Sequence, residues 1–282
     1  MKPPIAYYGG KTRLADWIVS LLPPHRVYVE PFCGSAAVLF AKRPATHEVI
    51  NDLDGDLVCF LRVLRSQPEE LERVCRLTPY ARDEYNAADL AELDIDDVER
   101  ARRWWVRSSQ SFAQVAKVGT GWSTSVQRGS NNARSVWNRL DRFTAAAARL
   151  GPVSIENRDA LEVIQAFDVD DGAMYVDAPY LGSTRSAIAG GRRPNGDYFC
   201  EFASDAQHTA LAEVLVRARA AVVVSGYPSA LYDQLYEGWW RADRQVLCRA
   251  ANGRSSRNFR RTEVLWANRP LADGRLWREE RW

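Results

Sequence analysis

The residues best suited to chemistry in this sequence form the short run Asp177-Ala178-Pro179-Tyr180, directly after an apolar pattern at 173–176. A carboxylate, a proline-stiffened turn and an aromatic ring at the end of a strand make a pocket for a flat ligand that carries an amino group. The Asp177 carboxylate and the Ala178 carbonyl can accept hydrogen bonds from that group, while Tyr180 stacks on the ring. A turn with a helix-capping aspartate is the alternative interpretation.

A second group of candidates lies at 30–34 (Glu-Pro-Phe-Cys-Gly), where a predicted strand at 27–30 runs into a helix pattern. Such junctions let a nucleotide approach the backbone and the helix N-terminus at the carboxyl edge of a sheet. Asp52, about 20 residues later, stands where an acid holds ribose hydroxyls in such folds, and it could equally cap a helix that begins near Leu53. With a single glycine in the turn, a plain strand-to-helix junction also stays open.

A third candidate is the N-terminal run 7–11 (Tyr-Tyr-Gly-Gly-Lys), in which Lys11 offers a cation to a carboxylate or a phosphate. Alone, this run is an ordinary turn.

The three histidines lack the spacing of a metal site and no G-x-S-x-G motif occurs, which disfavours zinc chemistry and serine hydrolysis. The five cysteines include no C-x-x-C pair and are expected to be reduced thiols.

The candidates need a scaffold that brings strand ends together, and the sequence predicts one. Short apolar, β-branched runs alternate with helical patterns, which is typical of an α/β fold with a mainly parallel, doubly wound sheet. Two helices are predicted to open with capping boxes, at Ser204 with Gln207 and at Asp159 with Glu162. The predicted strands are 27–30, 48–51, 153–156, 173–177, 221–225 and 263–267.

Between residues 53 and 150 the strand signal disappears. Helical patterns at 98–112 and 133–150 flank a loop rich in glycine, serine and threonine at 117–130. This segment is therefore predicted to be an inserted helical domain. A length of 282 residues agrees with about two domains.

The net charge of +2 averages over unequal segments. An acidic stretch, 83–99, has eight acids and no base, whereas a basic stretch, 101–142, has eight bases and one acid. A second basic stretch, 241–261, has seven arginines and one acid. Aromatic residues interleave with the bases, as in many nucleic-acid binders, although solvated helix faces would give the same pattern.

No apolar run is long enough for a membrane span and no signal peptide is recognisable, so a cytoplasmic protein is expected.

Taken in order, these motifs resemble the Dam-like family of S-adenosylmethionine-dependent DNA adenine N6-methyltransferases (D12 class, alpha group). The resemblance rests on the order and spacing of four motifs around the inserted segment and spans nearly the whole chain. Three linking segments, 157–159, 225–227 and 262–268, also look like that family. The motifs are Tyr7-x-Gly9-Gly10-Lys11, Glu30-Pro31-Phe32-x-Gly34, Asn51-Asp52 and Asp177-Ala178-Pro179-Tyr180.

The resemblance implies a Rossmann-like class I methyltransferase fold, in which S-adenosylmethionine lies across the carboxyl edge of the sheet and leaves as S-adenosylhomocysteine. No metal is implied. The run 177–180 would be catalytic, with Asp177 and the Ala178 carbonyl accepting from N6 of a flipped adenine, Pro179 stiffening the turn and Tyr180 stacking on the base. The residues implied at the cofactor are Tyr7 and Lys11 at its methionine end, Glu30, Phe32 and Gly34 along it, Asp52 at the ribose hydroxyls and Asp159 at the adenine amino group.

The resemblance also implies that 55–148 form a helical target-recognition domain, inserted into a catalytic domain made of 1–54 and 149–282. Its partner would be double-stranded DNA, bound more weakly as salt rises. A monomer is expected, in a prokaryote or encoded by a phage, as part of a restriction-modification system or as a solitary modifier. The residues expected to contact DNA are Lys117, Trp122, Gln127, Arg128, Asn131 and Arg134.

Two departures from the family bear on activity. Ala178 replaces a second proline, which keeps the backbone carbonyl but loses conformational restriction. Ala36 replaces a second glycine and is expected to add only a methyl group near the cofactor. We expect an active enzyme. The alternatives are a cytosine N4-methyltransferase and a binding protein whose catalysis is weakened or lost through Ala178, and a nicotinamide-dependent oxidoreductase is opposed by the missing glycines.

Overall fold

The computed structural model describes residues 1–111, 116, 121–123, 132–180, 202, 204–248 and 259–270. Its scaffold is a seven-stranded sheet. The strands are β1 (Val27–Glu30), β2 (His47–Asn51), β3 (Val153–Glu156), β4 (Gly172–Val176), β5 (Ala221–Gly226), β6 (Trp240–Cys248) and β7 (Phe259–Ala267).

The strand order is β3-β2-β1-β4-β5-β7-β6, with β1 to β5 parallel and β7 antiparallel to both of its neighbours. The prediction of a mainly parallel, doubly wound sheet is confirmed. The order reverses between β1 and β4, and ligands bind open α/β sheets in the crevice at the carboxyl ends of the strands on either side of such a reversal.

The predicted strands do not include β6, and β7 begins four residues before its predicted start. The sequence signal is weak here because charged residues interrupt β6, the edge strand, and the first half of β7, which pairs with it. All nine residues of β6 pair with β7, so the described residues of the second basic stretch, 241–248 and 259–261, lie in two antiparallel strands.

Side chains of the strands alternate between two hydrophobic clusters, one on each face of the sheet. Helices α1 to α8 bury residues in the first cluster, and α9 to α11 do so in the second. The helices are α1 (Ala15–Leu21), α2 (Ala37–Ala41), α3 (Gly55–Ser66), α4 (Pro68–Leu77), α5 (Arg82–Ala87), α6 (Asp97–Gln110), α7 (Asn132–Leu140), α8 (Phe143–Leu150), α9 (Ala160–Ala166), α10 (Asp205–Val216) and α11 (Ala230–Leu235). Within the described ranges, no helix is both long and apolar enough to cross a membrane.

The inserted segment contains α3 to α8, and the described part of it between β2 and β3 contains no sheet strand. The helix predicted at 133–150 is instead two helices, α7 and α8, separated by a turn at Asp141 and Arg142. Arg142 donates to the Pro3 carbonyl (3.0 Å), a tertiary contact that a local pattern does not reveal. One buried cluster joins this segment to the sheet, and the domain boundary at 54/55 stays a prediction.

The N-terminal caps of α3, α9 and α10 test three predictions from the sequence. Asp54, not Asp52, caps α3 by accepting from the backbone of Leu57, so the alternative interpretation of Asp52 as that cap is wrong. The capping box at Ser204 and Gln207 is confirmed. Asp159 caps α9 by accepting from the backbone N–H of Leu161, and Glu162 pairs with Arg158 (3.1 Å), so the prediction of a capping box there is wrong. In each cap the side chain accepts from the backbone N–H groups of the first turn. Asp54 accepts from Asp56 and Leu57, Ser204 from Gln207, and Asp159 from Leu161.

Candidate active site

A cavity of about 170 Å³ lies at the carboxyl edge of the sheet, beside the ends of β1, β2 and β4. Asp177 and Pro179, which follow β4, share its wall with residues from the loops after β1 and β2. The structure brings together here all the residues that the sequence places at the cofactor, namely Tyr7, Lys11, Glu30, Phe32, Gly34, Asp52 and Asp159.

The Asp177 carboxylate is held by two side chains from distant parts of the chain. The Lys11 ammonium lies 2.8 Å from both carboxylate oxygens, and the Ser225 hydroxyl donates to Oδ1 (2.8 Å). Tyr175 in turn donates to Ser225 (3.0 Å). A carboxylate has about four acceptor positions. These contacts from the described residues use three of them, so Oδ2 keeps one position for a further donor.

Lys11 connects the N-terminal turn to this carboxylate. Besides its contacts with Asp177, its ammonium donates to the Gly9 carbonyl (3.0 Å) and lies 3.7 Å from Glu263. It also lies 4.8 Å from the centroid of the Tyr180 ring, a cation–π distance. The role implied for Lys11 at the methionine end of the cofactor stays a prediction, since the observed contacts are to the 177–180 run.

Tyr180 is fixed at its hydroxyl and along its edge. The hydroxyl donates to the Glu263 carboxylate, and the ring meets Tyr227 edge-on with centroids 4.6 Å apart. Burial, together with the negative charges of Asp177 and Glu263, raises the pKa of Tyr180 well above its usual value. The phenol therefore remains a neutral donor at physiological pH.

Glu30 is buried at the end of β1. Its Oε1 accepts hydrogen bonds from the Tyr28 hydroxyl (2.7 Å) and from the backbone N–H of Leu39 in α2 (2.6 Å). Burial raises the pKa of Glu30 to about 7, because desolvation outweighs these two hydrogen bonds. Glu30 thus changes charge near neutral pH.

We expect Glu30→Gln to flatten the pH dependence of stability. The ordinary pKa of 4.5 rises to about 7 on folding, so the folded chain binds more protons than the unfolded chain between these values. Stability then falls as pH rises through that window, by roughly 3 kcal/mol. Urea unfolding at pH 5 and pH 8 measures this fall. Glu156→Gln, at the end of β3, serves as the control that keeps the wild-type dependence, and equal slopes for Glu30→Gln and wild type would contradict the prediction.

Asp52 closes the loop that follows β2. Its Oδ2 accepts from the backbone N–H of Gly34 (2.9 Å) and its Oδ1 from that of Asp54 (3.0 Å). Each carboxylate oxygen has a second lone pair, which a hydroxyl donor can use. Gly34 has φ +47°, and a Cβ there would come within 2.9 Å of the Tyr7 ring. Gly34 therefore allows Tyr7 to pack directly against the turn.

Ala36 does more than add a methyl group, so that expectation is wrong. It has φ 51° and ψ 38°, the left-handed conformation, at the start of α2. A residue with a Cβ is strained there by about 1–2 kcal/mol, whereas glycine is not. The family's glycine at this position therefore has a conformational reason.

We expect Ala36→Gly to stabilise the fold by up to about 1 kcal/mol, since relief of strain exceeds the added entropy of the unfolded chain. The rise in urea midpoint measures this. Ala37→Gly, one residue into α2, is the matched control and should instead destabilise by about 1 kcal/mol. A loss of stability in both variants would contradict the assignment of strain to Ala36.

The remaining walls of the cavity are aromatic and polar. The Phe32 ring meets Phe202 edge-on with centroids 5.5 Å apart. Asp159 is exposed at the start of α9. Asn51, for which the motifs predict no separate role, donates to the carbonyls of Pro31 (2.9 Å) and Arg158 (3.0 Å). It thereby joins the loops after β1 and β3, two sides of the cavity.

Sequence reasoning missed the residues that support Asp177 and Tyr180. Ser225 and Glu263 lie in segments that resemble the family, but they received no role. Each is a polar residue at one end of an otherwise apolar predicted strand, and such residues are rarely buried without a partner.

Two of the six residues expected at DNA lie in the described part of the chain. Trp122 donates to Gln110 (3.2 Å) and its ring packs near Tyr80 and Arg82, so it contacts the helical segment itself. Arg134 is exposed on α7. The other four lie outside the described residues, and they are Lys117, Gln127, Arg128 and Asn131.

The basic stretch is not a uniform cationic face. Arg102 pairs with Glu99 (2.6 Å) and Glu84, and Arg103 pairs with Glu92 (2.6 Å). These acids belong to the acidic stretch, so the two stretches partly neutralise each other. The positive charges of Arg102 and Arg103 are therefore offset within the helical segment itself.

Comparisons with known proteins found similarities to a family model, to a curated protein and to a solved structure. A family model for D12 class N6 adenine-specific DNA methyltransferases matches residues 7–239. The chain is 27% identical over 194 residues to the Type II methyltransferase M1.LlaDCHI of Lactococcus lactis subsp. cremoris, a match that covers 64% of this chain and 66% of that protein. A solved structure of a precorrin-8w decarboxylase from Methanobacterium thermoautotrophicum aligns over 95% of this chain and 98% of its own, with a TM-score of 0.41 and 11% identity. Among the described residues, no group of three or more histidines, cysteines and acids could hold a metal ion.

Proposed function

Because the chain belongs to the D12 class of N6 adenine-specific DNA methyltransferases, we propose that it transfers a methyl group from S-adenosylmethionine to N6 of an adenine turned out of a DNA duplex. The observation that carries this proposal is the Asp177 carboxylate, fixed at the cavity wall with an acceptor position left on Oδ2. An exocyclic amine is a donor that fits this position.

The reaction makes modest demands on the protein. S-adenosylmethionine, when bound, supplies a methyl group on a sulfonium sulfur. The amine attacks in line, so alignment matters and no covalent enzyme intermediate is needed. The lone pair of the amine must be withdrawn from ring conjugation, and acceptors on its N–H groups promote this. Asp177 and the Ala178 carbonyl are our candidates for these acceptors.

The proposed base pocket, formed by Asp177, Ala178 and Tyr180, is preorganised for the adenine. Lys11 and Ser225 hold the Asp177 carboxylate in one orientation, so it need not reorganise when the amine arrives. Tyr180 provides the stacking surface for the base. Extrusion of adenine costs a few kcal/mol, which stacking and these hydrogen bonds offset. We assign Lys11 to the support of Asp177, in preference to the methionine end of the cofactor.

The cofactor assignment rests on the donor set of the cavity. The Asp52 carboxylate, held by backbone N–H groups, has acceptor capacity left for a ribose hydroxyl, and the Phe32 ring offers an apolar wall. Gly34 and Tyr7 form the turn beside them. These residues fit an adenosine-containing ligand, and Asp159 is the candidate partner of its adenine amino group.

Double-stranded DNA is the partner that we propose for the inserted segment, 55–148. Among the residues expected to contact DNA, Arg134 has an exposed side chain, as contact with a phosphate requires. Trp122 instead donates to Gln110 and packs within the helical segment. The relative from Lactococcus lactis is a Type II methyltransferase. A role in a restriction-modification system is the corresponding proposal here, with the protein acting as a monomer in the cytoplasm.

The test is methylation of unmodified genomic DNA by the purified protein with S-adenosylmethionine. Single-molecule sequencing then maps the modified bases and their sequence context. Nucleoside analysis of the digested DNA should yield N6-methyladenine. N4-methylcytosine in its place would replace the proposed reaction with that of a cytosine N4-methyltransferase.

Ala178 supports one second candidate, a protein that binds cofactor and DNA without turnover. The alanine keeps the carbonyl, and it is buried directly after β4, so we expect the wild-type protein to be active. Ala178→Pro should then change kcat by less than about tenfold. An inactive wild-type protein together with an active Ala178→Pro variant would establish the second candidate instead.

A further inference from the structure

Glu263 lies on β7 outside the run 177–180 and outside the residues assigned to the cofactor. It is 3% exposed. Its carboxylate accepts from the Tyr180 hydroxyl and lies 3.7 Å from the Lys11 ammonium. It thus contacts the lysine that holds the Asp177 carboxylate and the tyrosine that is proposed to stack on the base.

A buried carboxylate is an unusual residue at this position. Leu265 and Ala267, which follow on the same face of β7, pack in the first hydrophobic cluster. Burial without partners would cost several kcal/mol, so an apolar residue would serve packing alone at lower cost. The partners that Glu263 has are the stacking tyrosine and the lysine of the candidate base pocket.

Building on the function proposed above, we propose that Glu263 is a positioning residue for the flipped adenine, acting through the Tyr180 hydroxyl. The hydroxyl bond fixes one end of the Tyr180 ring, and Tyr227 fixes its edge. A stacking surface that is already ordered loses less conformational entropy when the base arrives. Glu263 therefore controls the entry of the base, and it has no direct contact with the substrate.

This role predicts that loss of Glu263 impairs the reaction with DNA but leaves the binding of the cofactor nearly unchanged. Glu263→Ala removes the acceptor of the Tyr180 hydroxyl, and we expect kcat/KM for DNA to fall about tenfold, the size expected for a hydrogen bond to a charged group. The affinity for S-adenosylmethionine should change less than about twofold, because Asp52 and Phe32 lie outside these contacts. Glu263→Gln restores an acceptor and should recover most of the loss.

The experiment uses the full chain with a duplex that carries the mapped target site. 2-Aminopurine replaces the target adenine, and its fluorescence rise reports base extrusion without any need for methyl transfer. Calorimetry measures the cofactor affinity, and thermal unfolding detects a general loss of fold. Asp243→Ala, on the neighbouring strand β6, is the control and should match wild type in every readout.

A double-mutant cycle separates positioning from general support. Tyr180→Phe keeps the ring and removes the hydroxyl, so it should cause the same loss of extrusion as Glu263→Ala, and the double variant should add little. The inference would be overturned if the losses of base extrusion in the two single variants multiplied in the double variant. It would also be overturned if cofactor affinity and melting temperature fell together with base extrusion.

The outcomes also distinguish this inference from the proposed function. An active wild-type protein with an unaffected Glu263→Ala variant refutes only the role of Glu263. A wild-type protein that neither methylates DNA nor raises the 2-aminopurine fluorescence refutes both.

Discussion

Replacement of Asp177 by asparagine should lower kcat for methyl transfer by about 10²–10³-fold, with little change in S-adenosylmethionine affinity. The amide has one acceptor oxygen where the carboxylate has two. Its NH₂ group must face either the Lys11 ammonium or the incoming amine, and both are donors. The acceptor that prepares the amine for attack is thereby lost.

Single-turnover methylation of the mapped duplex measures this effect, because it reports the chemical step without product release. Asp171→Asn is the matched control, since Asp171 is exposed, pairs with Arg26 (2.5 Å) and precedes β4. It should leave the rate unchanged. A rate for Asp177→Asn within tenfold of wild type would remove Asp177 from the reaction.

The parallel part of the fold could be predicted from the sequence because its strands are buried on both faces. Such strands are continuous apolar runs, of which 173–176 is one, and they stand out between amphipathic helices. Strand β6 carries charged residues on an exposed edge, so its pattern does not differ from that of a loop. The turn between α7 and α8 was missed for a related reason, because neither glycine nor proline marks it.

The site could be predicted in its location but not in its contacts. Asp52 and Asp177 follow parallel strands, so their approach to one edge is a consequence of the topology. The pairing of Lys11 with Asp177 spans 166 residues and depends on how the N-terminal turn packs. The neutralisation of Arg102 by Glu84 likewise requires two helices to meet, which net charge along a sequence does not report.

The strongest expected effect on stability is at Glu48, at the start of β2. Its carboxylate is buried with two cations, the Lys42 ammonium (2.6 Å) and the Arg149 guanidinium (2.5 and 2.8 Å). Burial opposes its ionisation, but the hydrogen bonds from Arg149 and Lys42 outweigh it and lower the pKa of Glu48. The cluster ties α8, where the inserted segment returns, to the end of α2 and the start of β2.

We expect Glu48→Ala to lower the free energy of unfolding by about 3–5 kcal/mol, because it leaves two buried cations without their anion. Urea denaturation measures the loss. Glu70→Ala breaks a solvent-exposed pair with Arg73 and should leave the urea midpoint nearly unchanged.

A triple replacement separates the cost of stranded charge from the value of the pair itself. If unpaired charge causes the loss, Lys42→Met and Arg149→Met in the Glu48→Ala background should recover most of it, since apolar groups of similar length need no anion. No recovery would mean that the cluster is required as an ionic link between α8 and the sheet. In that case the inserted helices depend for their attachment on a specific charged contact as well as on the buried cluster that they share with the strands.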